Sequence, residues 1–263
     1  MFQKLFHLKE NGTDVKTEVI GGITTFMAMA YILAVNPSIL SQSGMDSQAV
    51  LIATALAAFV GTLCMAFMAN YPFALAPGLG LNAYFAYTVC GTMGYSWELA
   101  LLAVFAEGLV FLALSLTNVR EAIFNAIPMQ LKKGVSVGIG LFIAFLGLQN
   151  AHIVVNSDST LVTMVKFTKD FHTTGISALL ALIGLVIISV LYIKNVKGSI
   201  LLGILITWAL GILAQFTGLY AGDSVLPVWS DFNLGAISKT FGQCFSSAAF
   251  ATFRILDFIV IMF

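Results

Sequence analysis

NYPFALAPGLGLNAYFAYTVC, residues 70–90, is the stretch on which the fold turns. It lies among long apolar runs, yet carries Pro72, Pro77, Gly78 and Gly80 within nine positions. Proline has no backbone N–H and biases the residue before it towards extended backbone, so residues 71–77 are expected to be non-helical. Glycine permits the tight reversal expected next. From Leu81 to Cys90 nothing breaks a helix, and about ten residues at 1.5 Å rise span roughly 15 Å, half of a ~30 Å hydrocarbon core. The reading is an extended lead-in, a glycine hinge and a half-helix that starts near mid-membrane. Irregular backbone at that depth survives only where protein or a wet cavity covers it. Broken helices mark the substrate site of many secondary transporters, because a half-helix start presents free N–H groups and a positive dipole end. The plain alternative is a Pro/Gly-kinked span without a ligand.

Outward from this stretch the composition is that of a membrane protein. Of 263 residues, 59% are hydrophobic and only 9% charged, whereas soluble domains carry about 25% charged residues. The net charge of zero gives no hint of a nucleic-acid partner. Hydropathy and flanking residues place spans at 19–40, 50–69, the broken 70–90, 97–116, 134–150, 176–193 and 200–219. Residues 117–133 are too polar to span and suggest a short surface helix before Pro128. With the N-terminus inside, Lys4, Lys9, Lys16, Arg120, Lys132, Lys133, Lys194 and Lys197 are cytoplasmic, against Lys166, Lys169 and Lys239 outside. That asymmetry supports a multi-pass protein of the cell membrane with a cytoplasmic N-terminus.

The expected organisation is a cytoplasmic tail (1–18), a seven-span unit (19–219), an extracytoplasmic loop (220–247) and an incomplete eighth span (248–263). The last holds Arg254 and Asp257 and is shorter than the ~20 apolar residues a span needs. The expected fold class is thus an all-α polytopic membrane protein. An odd-numbered unit, once duplicated, inserts its copy upside down, which makes this unit one repeat of an inverted-repeat transporter. No second APGLGLN pattern or other repeat occurs in the chain.

Asn82, in the first turn of the half-helix, offers both a donor and an acceptor. A flat heterocycle such as a nucleobase would suit it; capping or helix-to-helix bonding is the structural alternative. Glu107 lies halfway along the fourth span, where a carboxyl is costly; it either relays a proton or serves as a protonated structural group. Tyr31 lies mid-span and its phenol needs a partner. Thr24 and Thr25 are expected to bond back to the preceding helical turn. Gly134, Gly138 and Gly140 suggest close helix packing. Cys64, Cys90 and Cys244 form no ligand spacing, and His7, His152 and His172 lie far apart. No metal or cofactor is expected, and no nucleophile elbow, P-loop or paired-carboxylate site points to an enzyme.

Four stretches carry a resemblance: GGITTFMAMAYILAVNPSIL (21–40), APGLGLNAYFAYTV (76–89), FAEGLVFLALSL (105–116) and GVSVGIGLFIAFLGLQNAHIVV (134–155). They are similar to the nucleobase:cation symporter-2 family, in its adenine/guanine/hypoxanthine permease branch. The resemblance covers nearly all of residues 18–260. It implies fourteen spans in two inverted repeats of seven, with spans three and ten part strand and part half-helix, arranged as core and gate subdomains, commonly in a dimer. It implies a purine nucleobase bound between the half-helix ends and a proton as the coupling ion. The family's binding position maps onto Gly80, Leu81, Asn82 and Ala83, and its first-span wall maps near Tyr31. The family's acidic eighth-span motif and tenth-span glutamate lie beyond DFIVIMF, where this sequence stops; Asp257 belongs to the approach to the eighth span. The expectation is an N-terminal half that does not transport alone and needs a complementary C-terminal half, or a homodimer. Two other readings stay open: a non-transporting membrane protein that occupies the interface of a full-length permease, and an anion transporter of the same fold. No basic residue between Asn70 and Arg120 supports the latter.

Overall fold

In a computed structural model of the chain the described residues are 6–10, 12–117, 119–157, 159–168, 170–222, 224–226 and 233–251. Helix α1 (Val15–Met29) starts at Asp14, whose carboxylate accepts from the Thr17 N–H. α2 (Ile32–Leu40) follows after a two-residue turn. α3 (Ser47–Cys64) is capped by Asp46, which accepts from the Ala49 N–H at 2.9 Å, and widens into a π-helical turn over Met65–Ala69. α4 (Leu79–Ala83) likewise widens into π-helix over Tyr84–Thr92. α5 (Trp97–Leu116) has Ser96 as its cap, and α6 (Val119–Ala126) is the short helix expected before Pro128. α7 (Met129–Asn150) begins directly after that proline, earlier than hydropathy placed it, because Pro128 suits a helix start. Lys132 lies 3.8 Å from the centroid of the Phe124 ring. α8 (Ile176–Ile193) and α9 (Ser199–Phe216) complete the long helices, and α10 (Ser247–Ala251) closes the described chain. Arg254 and Asp257 lie outside the described residues.

Among the described residues six helical stretches are long and apolar enough to cross a membrane: Val15–Ser43, Ser47–Ala69, Trp97–Leu116, Met129–Asn150, Phe171–Ile193 and Ser199–Phe216. At most 22% of any of these apolar windows is buried within the chain, and for Met129–Asn150 none is. Helices that are apolar all round are stable only when surrounded by lipid or by other protein. The chain is therefore a mostly helical, multi-pass membrane protein. One correction to the all-α expectation is a hairpin, β1 (Val154–Ser157) against β2 (Leu161–Met164), antiparallel with Val154 opposite Met164. Its residues are exposed or half-buried, so no alternating core face announces it; β-branched residues flanking a Ser-rich turn form it locally.

The chain forms two compact units, each discontinuous in sequence: residues 1–31 with 141–231, and residues 32–140 with 232–263. In the first, α8 and α9 pack where glycine removes side-chain bulk. A Cβ at Gly184 would overlap Thr207, and one at Gly203 would overlap Ile188. The glycines expected to pack helices closely, Gly134, Gly138 and Gly140, have no neighbour within 4 Å of a built Cβ. The second unit has a core of Met45, Val50, Phe85, Val89, Leu99, Ala100 and Ala103. The 233–251 stretch folds over it as two 3-10 turns and α10, held by a T-shaped Phe105–Phe245 contact at 5.0 Å and a Lys239–Asp46 ion pair at 2.8 Å. The Lys239 ammonium and the Ala49 N–H hold the Asp46 carboxyl below the usual carboxylate range.

Candidate functional site

The break before α4 begins at Asn70, the left-handed end of the π turn that closes α3 (φ 52°, ψ 40°). Asparagine tolerates that conformation better than most residues, and it redirects the chain there. Residues 70–78 then carry no regular hydrogen-bonded structure, and helix resumes at Leu79. Gly78 sits at φ −79° and ψ 113°, ordinary extended backbone, so the reversal comes from Asn70 rather than from the glycine hinge. The extended segment is laid back on α3. The Leu75 N–H donates to Thr62 Oγ1 at 3.0 Å, and a Cβ at Gly61 would stand 3.5 Å from Leu75. Tyr71 and Phe73 stack at 5.8 Å.

α4 starts without a side-chain cap, because Gly78 has no side chain to give. Its second turn turns inward: Ala83, Phe85, Ala86 and Val89 are buried, with Ala83 only 2% exposed. Leu81 points the other way at 77% exposure, and Gly80 and Asn82 are half-buried between the two. Asn82 Nδ2 donates to Asn36 Oδ1 at 2.5 Å, and Asn36 Nδ2 donates to Thr54 Oγ1 at 2.7 Å. Asn36 is 2% and Thr54 3% exposed. A three-residue polar chain thus crosses from α3 through α2 to the first turn of α4. Both hydrogen-bonding ends of the Asn36 amide are used. One end of the Asn82 amide is thus used by Asn36, and its other end has no hydrogen-bond partner among the described residues.

Of the residues singled out from sequence, Gly80, Leu81, Asn82 and Ala83 share this one helix. Tyr31 belongs to the other unit and is 37% exposed. Glu107 is exposed within the chain. It lies about 40° around α5 from Ala103 and about 20° from Ala100, the two residues by which that helix joins the core. The core-facing stripe of α5 therefore runs on to a carboxyl. Thr24 and Thr25 donate to the carbonyls of Ile20 and Gly21 at 2.8 and 2.9 Å, the local bond expected of helical threonines. Among the described residues no His, Cys, Asp or Glu cluster could hold a metal, and the three cysteines are free thiols. Sequence reasoning missed Thr54 and left Asn36 without a role. The available signal was two polar residues inside apolar helices, which in lipid must find partners.

Comparison with known proteins bears on this geometry. A model described as "Permease family", of the xanthine/uracil type, matches residues 16–262. A Methanocaldococcus jannaschii protein named as a permease is 51% identical over 225 residues, covering 86% of this chain and 50% of its own length. A guanine/hypoxanthine permease of Bacillus subtilis is 46% identical over 216 residues (81% of this chain, 48% of the relative). An adenine permease of Escherichia coli is 41% identical over 251 residues (92% and 55%). The chain spans about half the length of the curated relatives it matches. With a family model over nearly its whole length and relatives at this identity, the chain belongs to the nucleobase:cation symporter-2 permease family and is not an enzyme.

Proposed function

We propose that this chain forms the N-terminal half of a purine nucleobase permease that takes adenine, guanine or hypoxanthine across the cell membrane together with a proton. The broken segment counts as a third span, giving seven with a cytoplasmic N-terminus, one repeat of an inverted pair. The half of the fold that lies C-terminal in the relatives supplies the opposing wall and the carboxylates. In this reading Gly80, Leu81, Asn82 and Ala83 form the near wall, the last through its backbone. Glu107 is covered by the rest of the fold, since a carboxyl facing lipid at mid-span is costly.

The observation that carries the reading is the Asn82 carboxamide, half-buried beside an uncapped helix start in a broken membrane segment, with one end of its amide held by Asn36. The names of the relatives, guanine/hypoxanthine and adenine permeases, support the substrate class. Uptake of radiolabelled hypoxanthine and adenine in a host lacking purine transport tests it. Uptake is expected when residues 1–263 are co-expressed with the C-terminal half of a relative, and it is lost on Asn82→Ala. Robust uptake by residues 1–263 alone would refute the need for a second half. Uptake indifferent to Asn82→Ala would refute the site.

A further inference from the structure

We propose that the junction of α5, α6 and α7 is a binding site for an anionic phospholipid, with the phosphate against Lys132 and Lys133 and one acyl chain in the groove between α5 and α6. All of it lies in the second unit. α5 and α7 are consecutive helices long and apolar enough to cross a membrane, so the eight-residue α6 that joins them lies at the membrane boundary. Ile123 and Phe124 turn apolar side chains outward there, at 54% and 59% exposure. Water is a poor solvent for such a face, and the boundary between headgroups and acyl chains is a good one. Beside it is a cavity of about 610 Å³, lined by Phe111 and Leu114 of α5 and by Ile123, Phe124 and Ile127. That volume is in the range of ligand pockets, about 300–1,000 Å³. Phe111 stands one turn and a half before Leu116, the end of α5, and so about 7.5 Å deeper in the membrane. The groove therefore reaches the depth at which acyl chains begin, about 5–10 Å.

The charges at the rim decide the occupant. Lys132 is half-buried with its ammonium 3.8 Å from the centroid of the Phe124 ring, so a cation stands on the wall of a mainly apolar groove. Lys133 follows it, exposed, and Arg120 belongs to the first turn of α6. Among the described residues neither lysine has a carboxylate within 4 Å. Glu121 is the one acidic residue that lines the groove. Cations therefore outnumber carboxylates, which favours a net negative headgroup over a zwitterionic one, whose own cation the lysines repel. An apolar protein helix would fill the groove and leave both ammonium groups without an anion. A phospholipid meets both needs with one molecule. The reading of the chain as a permease enters only through the leaflet: in the orientation proposed above the site faces the cytoplasm, where the membrane surface is negative.

The probe is phosphatidylglycerol, titrated into purified residues 1–263 in neutral detergent and counted on the intact protein by native mass spectrometry. Phosphatidylcholine with the same acyl chains is the reference. The wild-type chain is expected to hold one phosphatidylglycerol roughly tenfold or more tighter than phosphatidylcholine. Lys132→Gln and Lys133→Gln are each expected to weaken it about fivefold, and together roughly 25-fold, from about 1 kcal/mol per basic residue near a membrane surface. Phosphatidylcholine binding should not change in these variants. Lys194→Gln with Lys197→Gln, in the exposed turn between α8 and α9, should leave the preference intact, which separates a site from overall charge. Lysophosphatidylglycerol should compete, because it keeps one acyl chain, whereas inorganic phosphate at the same concentration should not. Equal affinity for the two lipids, an undiminished preference in the double lysine variant, or displacement by inorganic phosphate would each overturn the proposal. The same titration is then made on the permease assembled with the C-terminal half of a relative. Lysine-dependent binding is expected to persist there; its loss would show that protein covers the groove and would overturn the lipid site. No arm of the experiment reads purine uptake, so failure of the substrate reading leaves these outcomes in place.

Discussion

Replacing Gly203 by alanine should destabilise the α8–α9 pair, while the same replacement at Gly211, two turns along α9, should not. At Gly203 the new methyl overlaps the Ile188 side chain and lies 3.3 Å from the Ile188 Cα, so the facing helix itself must move. At Gly211 a Cβ has nothing within 4 Å. Both substitutions gain the same helix propensity, about 1 kcal/mol, which cancels between them. The difference is the overpacking cost, about 1–3 kcal/mol. At ~2–4 °C per kcal/mol for a chain of this size, Gly203→Ala should melt roughly 2–12 °C below Gly211→Ala in detergent. Intrinsic fluorescence, with monodispersity followed by size exclusion, reads the melting. Truncating Ile188 to alanine in the Gly203→Ala background removes the overlapped Cγ1 and should return part of the loss, a coupling of about 0.5–3 kcal/mol. Equal melting of the two glycine variants would refute the helix contact and the packing of that unit.

Two further outcomes follow from the second unit. Thr62→Val keeps the shape of the side chain but leaves the Leu75 N–H without its acceptor, so exchange of the Leu75 amide in detergent should speed up roughly tenfold or more; unchanged exchange would mean the extended segment is held some other way. The Asp46 pKa is lowered by Lys239, so the pair's stabilisation is present above the unfolded carboxylate pKa of about 3.9 and is lost as pH falls through the lower folded value. The melting difference between wild type and Lys239→Met should hold constant from pH 7 to about 5 and vanish below that folded value. A difference that persists in strong acid would show that Lys239 acts by packing.

Most of what hydropathy can express was legible in advance. Long apolar runs, few charges and a Pro/Gly-interrupted segment are one-dimensional properties, and lipid enforces them residue by residue. They gave the membrane class, six of the spans and the loss of helix before Leu79. The APGLGLNAYF block carried the family. The hairpin at 154–164 was invisible because its register is set by a local turn without a buried face. Asn70 was passed over as the point of reversal because a left-handed asparagine looks like any other in a list of residues, while neighbouring glycines draw attention.

The amino-acid order by itself determined where the chain enters and leaves an apolar phase, because transfer free energy sums along the chain. Which polar atoms inside that phase meet was decided only in three dimensions. Asn36, Thr54 and Asn82 are 18 and 46 positions from their partners, and nothing in their spacing brings them together. That choice follows from burial. Once Thr54 and Asn36 are sealed from water, their polar atoms must pair with one another and with Asn82.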